Sequence, residues 1–279
     1  MSIKLAELRE RVSRSWARDL ASAEAARAAF YLSLASLPAT MVLFALAGLF
    51  GTRAVLERFV RAVAVELPTQ VGDVLAALVL EVKEASTAGL LSISAVLTIL
   101  WASNVVESLA QGINRAYKVR KRRPWWRRKL LALALLFGNS LLVVAGAVLV
   151  LSGPRLATAI GLAAWAQYSL WPLVWAGMTL ELAILYYVLP APSHRRFARA
   201  ILAGAGTGTA LWVGGTLLFR LYLARFSDHN LVYGVLGGVL VWMLWLYLSA
   251  AAVFLGAEVA AVLERRMARH RGASGNDEA

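Results

Sequence analysis

Tyr233–Val262 reads YGVLGGVLVWMLWLYLSAAAVFLGAEVAAV, and Glu258 is the single charged side chain in the stretch. A helix rises about 1.5 Å per residue, so roughly 20 residues cross a hydrocarbon core of about 30 Å. A helix apolar on every side has no face to offer water, whereas lipid accepts it all round. The stretch is therefore read as a transmembrane span.

Working back along the chain, similar apolar runs occupy 199–222, 168–190, 130–152, 88–111 and 28–50. With 233–262 they predict an all-α polytopic membrane bundle of about six transmembrane helices. The first run contains Pro38, which removes a backbone donor and is expected to kink its helix. The whole chain agrees with this reading: 279 residues are 60% hydrophobic and only 16% charged. Soluble domains carry about 25% charged residues. With no cysteine, disulfides and thiol chemistry are excluded.

The net charge of +13 would suggest nucleic acid in a soluble protein. Its distribution says otherwise. With the N-terminus inside, 22 of the 29 Lys and Arg residues fall on cytoplasmic segments. Nine of these lie between the second and third spans, from Arg115 to Lys129. That is the positive-inside pattern, with both termini in the cytoplasm. Residues 1–27 form a cytoplasmic segment in which Ile3, Leu5, Leu8, Val12, Trp16 and Leu20 recur at helical spacing. An amphipathic helix is expected there, lying on headgroups or packed on the bundle. The apolar run that follows is too long for the core of a cleaved signal peptide. Residues 52–87 read as two short helices in an extracytoplasmic insertion after the first span. Residues 266–279 read as a basic and then disordered tail.

Carboxylates inside a membrane are costly and face protein or a watery cavity. Glu107, Glu181 and Glu258 are the candidates, and Asn104 and Gln111 share a helix face with Glu107. The expected internal polar site is thus Glu107, Asn104, Glu181 and Glu258. The competing reading pairs Glu107 and Glu258 with nearby basic loops. Gly204 and Gly208 lie four apart in the fifth span, as do Gly234 and Gly238 in the sixth. Small residues at that spacing let backbones approach, so these two spans are expected to pack closely. The basic loop 115–129, with Trp125 and Trp126, suits either ordinary anchoring or anionic lipid headgroups. The partners expected are membrane lipids and not nucleic acid, with self-association left open. His194, His229 and His270 have no metal-ligand spacing, and no nucleophile elbow or phosphate loop is present. No catalytic residue, metal or cofactor is expected.

Several motifs together resemble the YihY/BrkB family of bacterial inner-membrane proteins. They are Tyr233–Gly234 with Gly237, Trp245–Leu246–Tyr247 and Leu255–Gly256–Ala257–Glu258. Asn114–Arg115–Ala116–Tyr117 before the basic run adds to them, as do Leu189–Pro190 with Ala203–Gly204–Ala205. So does Ala28–Phe30–Tyr31 with Ser36–Leu37–Pro38. The likeness covers roughly 20–265. The asparagine that follows the family's GAE motif is Ala260 here, and the tyrosine–tyrosine of its first motif appears as Phe30–Tyr31. The resemblance implies six spans, an inner-membrane address and a role in the cell envelope such as integrity, serum resistance or lipid export. It supplies no established activity, and the ribonuclease label once attached to the family does not carry over. The leading expectation is a transporter-like or lipid-handling protein. Its rivals are a non-transporting scaffold or envelope-integrity factor and, third, an intramembrane enzyme with two carboxylates close together.

Overall fold

The computed structural model describes residues 5–18, 20–49, 88–119, 170–190, 197–226 and 234–274, with isolated positions at 54 and between 124 and 138. Apart from those isolated positions, the insertion at 52–87, the span at 130–152, most of the basic connector, Tyr233 and the last five residues lie outside the described residues. Those described form α1 (Leu5–Arg18), α2 (Ala21–Leu49), α3 (Ala88–Ala116), α4 (Leu170–Val188), α5 (Ala198–Phe226) and α6 (Gly234–Ser274), with no strand among them. Ser92–Ala116, Ala198–Arg225 and Gly237–Arg269 are each long and apolar enough to cross a membrane. Trp175–Val188 is a shorter apolar stretch.

Residues 1–27 do not form one element. Leu20 takes a left-handed backbone (φ 53°), which ends α1 and lets α2 start at Ala21. The break has a packing reason. Ala21, Ala25 and Ala28 recur on one face of α2 and are buried in the main core, so Glu24 and Arg27 belong to the bundle. α1 keeps its charged face outward, with Arg14 on Glu10 at 2.8 Å, and sets Trp16 against the main core. Pro38 lies inside α2, which continues past it to Leu49. α6 runs on to Ser274, beyond the expected start of the tail at 266, because Leu263–Ala268 is a run of good helix formers.

α5 with α6 and α2 with α3 are the most extensive pairs, and α2 also packs on α6. Both main pairs are antiparallel. Glu24 and Arg27 at the start of α2 meet Arg115 and Ser108 near the end of α3. Trp212 of α5 donates its indole N–H to Ser249 of α6 at 3.0 Å, while Phe197 before α5 meets Glu264 late in α6. α3 and α6 run parallel, since Gly112 lies against Phe254 and Ala116 against Arg265.

Among the described glycines, those of α5 and α6 bring backbone closest to backbone. A Cβ built on Gly204 would lie 2.5 Å from the Ala260 methyl and 2.6 Å from the Gly256 carbonyl. One built on Gly208 would lie 3.4 Å from the Ala252 carbonyl. Antiparallel packing explains these partners. The first turns of α5 face the later turns of α6, while Gly234 and Gly238 lie at the opposite end of that helix. Gly214 and Gly215 have nothing within 4 Å.

Candidate functional site

Of the expected polar residues, Glu258 is the most enclosed, at 1% exposure in the alanine-rich part of α6. Glu107 is half-buried on α3 and accepts a hydrogen bond from Gln111 Nε2 at 3.1 Å. Asn104, one turn earlier, contributes its backbone carbonyl to the Ser108 hydroxyl at 3.0 Å. Glu181 is half-buried on α4, on the side bordered by the exposed Leu180 and Ile184. α3 packs chiefly on α2 and α4 chiefly on α5, with α6 touching both. Glu107 and Glu181 therefore belong to different helix pairs, and Glu258 lies on the helix common to them.

The other singled-out residues take clear places. Asn114 Nδ2 donates to the Ala110 carbonyl at 2.6 Å. Lys118, with φ 57°, closes α3. Its amide bonds to the Arg115 carbonyl, and that of Val119 to the Asn114 carbonyl, the double bond of a Schellman cap. Pro190 is fully buried just after α4. Trp245 stacks on Trp242 with centroids 5.6 Å apart and meets Trp212 edge-on at 6.1 Å. In the basic connector, Arg127 lies over the ring of the exposed Trp126, 4.9 Å from its centroid.

Tyr186 reaches from α4 into the glycine crossing. Its hydroxyl donates to the Val253 carbonyl at 2.6 Å and fills the space left where Gly208 and Gly256 have no Cβ. Three helices are thereby pinned at one point.

Sequence reasoning missed a cluster of charges at the end of the bundle where α2 begins and α3 and α6 finish. Glu24, 4% exposed, receives Arg27 at 2.8 Å and Arg115 at 2.9 Å on separate carboxylate oxygens. Arg27 Nε also donates to Ser108 Oγ at 2.8 Å. On the neighbouring side, Arg265 donates to the Ala116 carbonyl at 2.7 Å. The buried Glu264 accepts the Phe197 amide at 3.2 Å, capping the entry to α5. The available signal was the alanine stripe at 21, 25 and 28, which places position 24 on the inward face. Among the described residues no group of acidic or histidine side chains could hold a metal ion.

Apolar helices of spanning length around buried, internally paired charges define a multi-pass protein of the cytoplasmic membrane. A family profile described as virulence factor BrkB matches residues 12–279, and the chain belongs to that family. A ribonuclease-like protein, YfkH, of Bacillus subtilis (strain 168) is 30% identical over 185 residues, 64% of this chain and 67% of its own length. A UPF0761 membrane protein of Aromatoleum aromaticum is 30% identical over 252 residues, covering 87% of this chain and 60% of its own. Another, of Tolumonas auensis, is 30% identical over 182 residues, 62% of this chain and 57% of its own. The chain thus spans about six-tenths of the length of these two membrane relatives. No solved structure matches it.

Proposed function

We propose that this protein is a six-span, N-in/C-in carrier of the cell envelope, transporter-like or lipid-handling, whose internal polar site is organised around Glu258 on the shared helix α6. The observation that carries this reading is a carboxylate 1% exposed in an apolar helix. A charge in that position is expensive and is retained where it serves a pathway or a binding site. Glu107 and Asn104 lie on α3 and Glu181 on α4, the helices that meet α6 from the two pairs.

Helix directions support the span count. α3 ends and α5 begins at the charged end of the bundle, and α4 runs towards that same end before its short connection to α5. These directions are the ones expected of a six-span order in which the apolar run at 130–152 is the third span. The concentration of Lys and Arg in the adjoining connectors favours the cytoplasm for the charged end.

Reconstituted in liposomes, the protein is expected to move a fluorescent anionic lipid or a solute between compartments. Glu258→Gln and Glu181→Gln are each expected to slow that movement. Unchanged rates in both variants, with wild-type transport measurable, would remove these residues from the mechanism.

The scaffold reading has its own support in the tight locking of α4, α5 and α6 through Tyr186, Gly208 and Gly256. An absence of transport across a broad substrate panel, with envelope defects in cells lacking the protein, would favour it. The ribonuclease word belongs to the name of the Bacillus relative and enters neither reading.

A further inference from the structure

At the charged end, one buried carboxylate holds two arginines side by side. Glu24 Oε2 takes Arg27 and Oε1 takes Arg115, at 2.8 and 2.9 Å. Arg27 is fixed again through Nε by Ser108 Oγ at 2.8 Å, and that hydroxyl is tied to the Asn104 carbonyl at 3.0 Å. Two cations against one anion leave the triad a surplus positive charge. While Glu24 is 4% exposed, the arginine side chains keep 37% and 41% of their surface. A guanidinium carries five N–H donors in a rigid fork. The contacts to Glu24 and Ser108 use Nη2 and Nε of Arg27 and Nη1 of Arg115, so Nη1 of Arg27 and Nε and Nη2 of Arg115 stand outside them.

A preset pair of forks with surplus charge suits a tetrahedral oxyanion. Such a group has several oxygens to share and receives arginine in bidentate fashion. The depth is also suitable. The triad lies where spanning helices end, at the level of lipid phosphates. Phe30, one turn along α2 from Arg27, is 48% exposed and offers apolar surface for an attached chain.

We propose that Arg27 and Arg115, held in place by Glu24, bind a phosphate group at the membrane surface, as carried by an anionic phospholipid. The proposal rests on the reading of the charged end as the headgroup end of a membrane bundle.

The test is native mass spectrometry of the full-length protein in mild detergent, titrated with phosphatidylglycerol and, separately, with inorganic phosphate. Loss of one charge-assisted contact is expected to lower phosphatidylglycerol occupancy about tenfold in Arg27→Gln and in Arg115→Gln. Arg115→Lys keeps the charge and the Glu24 pair but loses the fork, so it should fold normally and still bind more weakly. Arg220→Gln, on α5 away from the triad, should bind as wild type. Displacement of the lipid by inorganic phosphate supports a site that reads the phosphate alone, and failure to displace supports a site that needs the whole lipid. Equal lipid binding by wild type and all three triad variants overturns the proposal. Carbonate extraction of the producing cells tests the membrane reading separately. Release of the chain refutes that reading, whereas retained chain with unchanged lipid binding refutes the site alone.

Discussion

Replacing Gly256 with alanine tests the glycine crossing most directly. The new methyl would lie 2.7 Å from the Gly204 carbonyl oxygen and 2.9 Å from the Gly208 Cα, and would also strike the Tyr186 hydroxyl. Two of these neighbours are backbone atoms of α5, so no side-chain rotation relieves them. The third is held by its 2.6 Å hydrogen bond to Val253. The helices must separate or Tyr186 must give up its bond. Overpacking of this kind costs about 1–3 kcal/mol. Losing the hydroxyl's bond as well would place the variant in the upper half of that range. Gly214→Ala is the matched control, since nothing lies within 4 Å of its Cβ position and the added methyl meets no atom. Steric trapping or denaturant unfolding in mild detergent reads the difference between the two variants. Equal stability of Gly256→Ala and Gly214→Ala would refute the assignment of the α5–α6 crossing to this point.

Glu24→Gln strands two arginines that share one carboxylate and should destabilise the bundle by about 2 kcal/mol by the same assay. That is less than the 3–5 kcal/mol for a wholly buried pair, because both arginines keep some solvent. Tyr186→Phe removes a single hydrogen bond while keeping the ring and should cost about 1 kcal/mol. Because the native chain has no cysteine, single replacements report sidedness cleanly. A membrane-impermeant maleimide should label Arg225→Cys in intact cells and Lys118→Cys only after permeabilisation, and the reverse pattern would invert the proposed topology.

The helical and membrane character of the chain was legible because hydrophobic runs longer than 20 residues admit few other readings. Element ends were less so. The break at Leu20 depends on a left-handed residue with no glycine to announce it. The extension of α6 follows from ordinary helix propensity in a stretch that resembled a basic tail. For the glycines, spacing identified which residues could pack but not which would meet. Gly204 finds Gly256 only because the helices are antiparallel, a fact carried by the fold and not by the local pattern. The polar residues divide in a similar way. Glu107, Glu181 and Glu258 stand out because they interrupt apolar runs. For Glu24 and Arg27 the alanine stripe at 21, 25 and 28 points to an inward face, but Glu24's partner Arg115 is far along the chain, and only the assembled bundle pairs them.

The glycine crossing also limits what this molecule can do mechanically. Where backbone touches backbone there are no rotamers to exchange, so sliding of α5 along α6 has no intermediate foothold. A carrier built on this pair would have to move it as a single strut, with Tyr186 as the rivet that carries α4 along. It would part along the seam where α2 and α3 meet that strut, which Arg265 fastens at the charged end through the Ala116 carbonyl.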